Sequence, residues 1–388
     1  IQTVIFDMDG VIVDTEPVHR YAYYKQFEEL NIEVTEAMYT SFTGFSTRNT
    51  FQTLKEQFQL EHEVEDLIQR KRSIFNDAFD TKEDLELLEG VRALIEDLYQ
   101  LNLSGAEQVW LFVGFFLAYA IKIPIIPFHT WQANVYQKAP TVGTMLLSGI
   151  MLKMGLYSVI RWQLPIVPLA AEGHVTIMLI LGIAGVIYGS IVALRQKDLK
   201  KLLAYSSLAH VGLIAAGAYT MTADGISGAV LQMIAHGFVV VGLFFIAEII
   251  YRRYETRVIA DMGGLRSQAP KFTSLFLILV LASVALPTTF NFVGEFTVLY
   301  SLSQVNIAFA VLGGTTIILG AYYMLKMFQS VMLGETNVKP FADVTANEGI
   351  VLVVIIAVLF FFGLYPKPII ELIMPSIEGI LNQINRIK

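Results

Sequence analysis

The sequence predicts a mainly α protein: a polytopic membrane helix bundle of eight spans, some of them broken helices, preceded by a short α/β fragment rich in charged helices. Three observations carry this. Of 388 residues, 55% are apolar and only 16% charged, where a soluble domain runs near 25% charged, so an ordinary soluble enzyme is excluded. The formal charge of −7 hides a division: residues 1–103 hold 9 of the 27 Lys+Arg and 21 of the 34 Asp+Glu, which leaves −12 on that stretch and +5 on the rest. From residue 107 onward, apolar runs of about 20 residues, enough to cross a bilayer as helix, follow one another with short polar gaps. The high apolar content excludes disorder, the acidic balance excludes a nucleic-acid binder, and the absence of cysteine excludes a disulfide scaffold.

The fragment opens with Thr3-Val4-Ile5-Phe6 and stops at Asp7-Met8-Asp9-Gly10, the pattern of a buried strand ending in a glycine turn. Alternation points Asp7 and Asp9 to one side of the strand exit, where α/β folds place their sites. One carboxylate can attack phosphorus while the other trades a proton with the leaving group, and Mg²⁺ would offset their repulsion. The same tetrapeptide is also ordinary turn chemistry. Residues 16–88 read as charged amphipathic helices, and the first 30 residues carry no secretory signal pattern.

The run Phe6 to Glu16 resembles the first motif of haloacid dehalogenase-like hydrolases, in the phosphoglucomutase and sugar-phosphatase branch. The resemblance implies that Asp7 is the nucleophile and Asp9 the acid/base, both on Mg²⁺. It also implies that 16–88 is a helical cap whose His19 and Arg48 touch the substrate phosphate. Leu88-Glu89-Gly90-Val91 would return the chain to the core. The Ser/Thr, Lys and late acidic motifs of the family do not follow, so an incomplete α/β fragment with an incomplete Mg²⁺ site and no hydrolase activity is expected.

Eight spans are expected at 107–128, 141–163, 175–194, 199–218, 226–250, 273–299, 305–332 and 348–365, with 367–388 as an amphipathic helix at the interface. The expected domains are 1–103, 107–366 and 367–388. Basic residues gather in the odd connections: Lys138; Arg195, Lys197, Lys200 and Lys201; Arg252, Arg253, Arg257, Arg266 and Lys271; and Lys339. The even side has only Arg161, Lys367, Arg386 and Lys388. Odd loops should therefore be cytoplasmic and both termini outside.

Ionisable residues inside spans are costly, and they mark ion pathways by default. Lys122, Lys153, His210, His236 and Glu295 are such residues, although a single histidine can also be a satisfied helix–helix contact. Lys122 precedes Pro124 and Pro127, and Glu295 follows Pro287. Proline frees backbone carbonyls, and buried helix breaks are where transporters hold ions and water. A file of such groups forms a proton path.

Ala120 to Trp131, Lys138 to Thr141, Gly149 to Lys153, Asp198 to His210, Met233 to Gly237, Met262 to Leu265 and Asn291 to Phe296 together resemble the chain M family of bacterial NADH–quinone oxidoreductase, complex I, an antiporter-like family. The resemblance covers residues 107–388. It implies proton transfer through Lys122, Lys153, His210 and His236 to Glu295. It further implies a multi-pass protein of the bacterial inner membrane whose partners are neighbouring complex I membrane subunits and the lipid bilayer. NADH, flavin, iron–sulfur and quinone chemistry would lie in partner subunits, since this chain has no cysteine to ligate a cluster and no Gly-x-Gly-x-x-Gly run in a strand–helix context. The chain departs from the family in having Thr288-Thr289-Phe290 where Gly-Thr-Gly is usual.

That family has fourteen spans, and the match here begins at the seventh. The glutamate that pairs with Lys122 is among those that do not match, so weak or absent pumping is expected. Both pieces break near 100–107, which points to a chimaera. The alternatives are a hydrolase tethered to membrane helices and a cation/proton antiporter subunit.

Overall fold

The computed structural model describes residues 16–42, 46–81, 103–335 and 340–387. The chain divides into two compact units, Ile1–Asn102 and Leu103–Lys388. The expected strand at 3–6, with Asp7 and Asp9, lies outside the described residues.

In the first unit, α1 (Glu16–Glu29), α2 (Glu36–Ser41), α3 (Thr47–Phe58) and α4 (Val64–Thr81) are all helical. Thr35 and Ser46 cap α2 and α3 by accepting from Met38 N and Asn49 N, which satisfies amides that a helix start leaves orphaned. Phe27, Phe51, Leu54 and Leu67 form its small core, which ties α1 and α3 to α4.

Among the described residues of the second unit, six helices are long and apolar enough to cross a membrane. They are α7 (Thr141–Ile166), α8 (Pro168–Leu194), α9 (Leu199–Tyr219), α10 (Ala223–Tyr254), α13 (Ile307–Met332) and α14 (Ala346–Leu364). The two other expected spans, 107–128 and 273–299, are not continuous helices. Helix α5 (Gly105–Lys122) stops before Pro124, and α6 (Thr130–Lys138) follows the break. Likewise α11 (Pro270–Ser283) and α12 (Phe290–Val305) flank Pro287. A hydropathy window sees each pair as one run, whereas proline forbids the continuing N–H bond. Helix α15 (Lys367–Ile387) buries Ile377, Ile380 and Ile384 and packs against α10.

Each break is held by contacts of its own. Trp131 Nε1 donates to Ile121 O at 3.0 Å, and Ile125 N donates to Ala120 O at 2.9 Å, so the first break leaves those two carbonyls paired. At the second, Gly363 of α14 lies hard against the Thr288–Phe290 backbone with no room for a Cβ.

Helix α9 is central and buried along nearly its whole length. Lipid supplies little hydrophobic drive between helices, so close packing of small residues substitutes for it. A Cβ added at Gly182 of α8 would lie 2.8 Å from Gly212 O of α9, which is why both positions are glycine. Helix α10 packs against α7, α9 and α12 and gathers their polar side chains at its middle.

Candidate functional site

Four of the five membrane residues singled out from sequence meet in that middle. Lys153 of α7 reaches across to α10, with its Nζ 2.8 Å from His236 Nδ1, and it also donates to Ser148 O of its own helix. His236 faces His210 of α9, their ring centroids 5.6 Å apart. His210 Nδ1 lies 2.7 Å from Glu295 Oε1 of α12. That is ion-pair distance, but the carboxylate stands off the line of the ring N–H, and the ring nitrogen has no hydrogen-bond partner among the described residues. Gln232 Nε2 donates to the same carboxylate oxygen at 3.1 Å. His210, His236 and Glu295 are all buried.

Local sequence explains how Lys153 arrives there. A π turn at Leu147–Met151 interrupts α7, flanked by α-helix on both sides. One extra residue per turn leaves a carbonyl without its i+4 amide, and such bulges concentrate at functional sites. The Lys153 ammonium takes the Ser148 carbonyl inside that turn.

A cavity of about 10 Å³ lies beside the histidines, lined among others by Ser206, Ser207, His210, His236 and Asn291. That is room for about one water. Of that lining, Ser207 Oγ, His210 Nδ1 and both amide atoms of Asn291 are buried without hydrogen-bond partners among the described residues, the set of groups a water needs.

Lys122 is not brought into this set. It ends α5 exposed, its stem against Gly155, where an added Cβ would lie 3.2 Å from Lys122 Cγ. In the first unit, His19 Nδ1 lies 2.7 Å from Lys71 Nζ and its ring stacks on Phe75 at 4.3 Å, while Arg48 pairs with Glu65 on the surface. Asp7 and Asp9 lie outside the described residues, so the expected Mg²⁺ site has no geometry to test, and among the described residues no acidic or histidine cluster could hold a metal.

Sequence reasoning missed Gln232, Asn291 and Ser148. The signal was spacing: Gln232 precedes His236 by four residues and Asn291 precedes Glu295 by four, which stacks each amide on the face of its partner.

Residues 85–320 match the model of the NADH:quinone oxidoreductase/Mrp antiporter transmembrane family. The chain belongs to that family. Residues 4–106 match the haloacid dehalogenase-like hydrolase model, so the two matches overlap between 85 and 106. NADH-quinone oxidoreductase subunit M of Rickettsia typhi is 42% identical over 283 residues, 72% of this chain and 57% of the relative. The subunit M of Rhodobacter capsulatus is 39% identical over 72% of this chain and 55% of its own length. The chain thus spans little more than half the length of these antiporter-family relatives. Respiratory complex I from Thermus thermophilus with bound NADH contains a chain that superposes with a TM-score of 0.70 at 31% identity, covering 74% of this chain and 62% of that one. An Mrp complex from Dietzia shares the antiporter-family fold at TM-score 0.68 and 19% identity, covering 75% of this chain and 63% of that one.

Proposed function

We propose that this chain conducts protons across a membrane as a subunit M-type component of a proton-pumping NADH–quinone oxidoreductase. The observation that carries the proposal is the buried file Lys153–His236, then His210–Glu295, crossing four helices within hydrogen-bond or ring-contact distance. Lys153 can pass a proton directly to His236. The 5.6 Å between ring centres calls for a bridging water, and the adjoining cavity has the volume and the polar lining for one. His210 then hands the proton to Glu295, whose other contact on that oxygen is the Gln232 amide. The end of the bundle bearing Lys138, Lys197 and Arg252 would face the cytoplasm. Neighbouring subunits of the complex would supply the redox drive. With Lys122 exposed on this unit, the chain alone is not expected to restore pumping to a strain lacking its own subunit M.

The test is potential-driven proton uptake into vesicles containing the purified chain and a trapped pH dye. The wild type should take up protons and Lys153→Met should not. Equal uptake by both would sink the proposal.

A further inference from the structure

The file above begins at Lys153, near mid-membrane, and its supply from the basic end is unassigned. From Glu248 to His236, α10 runs twelve residues, about 18 Å of helix and roughly half the bilayer core. Across the same interval, the facing α7 carries Thr141, Thr144 and Ser148, all buried. The interval ends at both extremities in a contact between the two helices. Thr141 Oγ1 donates to Glu248 at one end, and Lys153 meets His236 at the other.

The π turn aligns this file. In an ideal helix Lys153 would sit about 120° around from Thr141. One inserted residue at 147–151 reduces the angle to about 20°, bringing Lys153 onto the stripe of Thr141 and Ser148. Thr144 Oγ1 donates to Tyr136 O at 3.0 Å and Ser148 Oγ to Thr144 O at 2.7 Å, so each hydroxyl keeps lone pairs free to accept. The axial intervals along the stripe are about 5 to 8 Å, which one water each can bridge.

Glu248 stands at the boundary with water. Its side chain is 19% exposed and accepts at 2.8 Å from Arg252 Nε, whose own side chain is 74% exposed. From the other packed elements it faces Thr141 of α7 and, on the α9 side, the buried Lys200, whose Nζ donates to Ala139 O at 2.7 Å. Arg257 NH1 donates to Gln137 O at 2.8 Å, holding the same 137–141 segment over the mouth of the stripe.

We infer that Glu248 is the proton-loading group of the basic end, and that Thr141, Thr144 and Ser148 carry its proton to Lys153. In each transfer, one hydroxyl accepts a proton on its lone pair and gives its own onward. One proton therefore enters at the carboxylate and one leaves to Lys153, with no other bond changed. The inference rests on the proton-path reading and extends it to the surface.

The experiment measures solvent exchange of the His236 ring N–H by nitrogen-15 NMR in the full-length, histidine-labelled protein, with the signal assigned by its loss in His236→Gln. Glu248→Gln and Thr144→Val should each slow exchange by about 100-fold, the low end for loss of a positioned proton-transfer group, while Glu248→Asp and Thr144→Ser stay within about threefold of wild type. Unchanged exchange in Thr144→Val and Glu248→Gln overturns the inference, and the Thr144 pair decides it if Glu248→Gln fails to fold. Slowed exchange without vesicle proton uptake keeps the entry path and sinks the proton-conduction reading. Uptake that depends on Lys153 but not on Glu248 or Thr144 does the reverse.

Discussion

Replacing Glu295 by glutamine removes one charge from the far end of the file while keeping its shape. His210 Nδ1 is 2.7 Å from the carboxylate, and at an effective dielectric near 20 two unit charges at that distance attract by about 6 kcal/mol. A proton arriving on His210 is held by that attraction, so the glutamine variant loses it. A water in the adjoining cavity would screen the pair, and halving the figure to about 3 kcal/mol still raises the transfer barrier enough to slow flux by about 100-fold. Glutamine also cannot take up the proton, so the residual flux should be leak. The assay is dye-reported proton uptake into vesicles under an imposed potassium diffusion potential, with Glu295→Asp as the charge-retaining control. Uptake by Glu295→Gln within about threefold of wild type would refute the reasoning, because so small a loss corresponds to less than about 1 kcal/mol.

Asp343 supplies a pH test outside the spans. Burial alone would raise its carboxyl, but the N–H groups of Phe272, Val344 and Lys271 donate to it and the Lys271 charge adds to them, so it is held below its ordinary value. A depressed folded-state value stabilises the protein above the ordinary carboxylate pKa and is lost as pH falls through the folded value. Melting temperature should therefore drop in the acid range, and Asp343→Asn should flatten that drop in detergent melts. Gly182→Leu would drive α8 from Gly212 O and should cost at least about 1–3 kcal/mol as overpacking, read as a lower melting temperature; an unchanged melt would contradict the packing. Phosphomonoester turnover by the purified chain should be at background, and turnover abolished by Asp7→Asn would overturn the expectation of an inactive fragment.

What sequence revealed followed cost. Lys153, His210, His236 and Glu295 were legible because an ionisable group in a span is expensive enough to stand out against an apolar run. Gln232, Asn291 and Ser148 were not, because amides and hydroxyls are cheap in a helix and only their partners give them meaning. Lys122 was equally legible, yet sequence could not show that it ends α5 on an exposed face. The span at 273–299 read as one run because hydropathy averages over Pro287, although the same proline was the visible sign of the break. The π turn in α7 had no residue signal at all, and it decides which face Lys153 occupies.

The geometry of the Lys153–His236 contact also limits how many protons the file can hold. At 2.8 Å one nitrogen must offer a lone pair to the other's N–H, so the contact contains one shared proton rather than two charged groups. Two positive charges at that separation would repel by about 6 kcal/mol even at a dielectric of 20. At the far end His210 Nδ1 approaches Glu295 Oε1 to 2.7 Å, where a charge on the ring would meet an acid rather than a second base. On the proposed path, the file would hold a proton near Lys153 and draw the next one toward Glu295. A second proton entering from the basic end could not wait beside the first, and its repulsion would push the first across the histidine gap. On that path, coupling between successive protons would follow from two contact distances without a large movement of the helices.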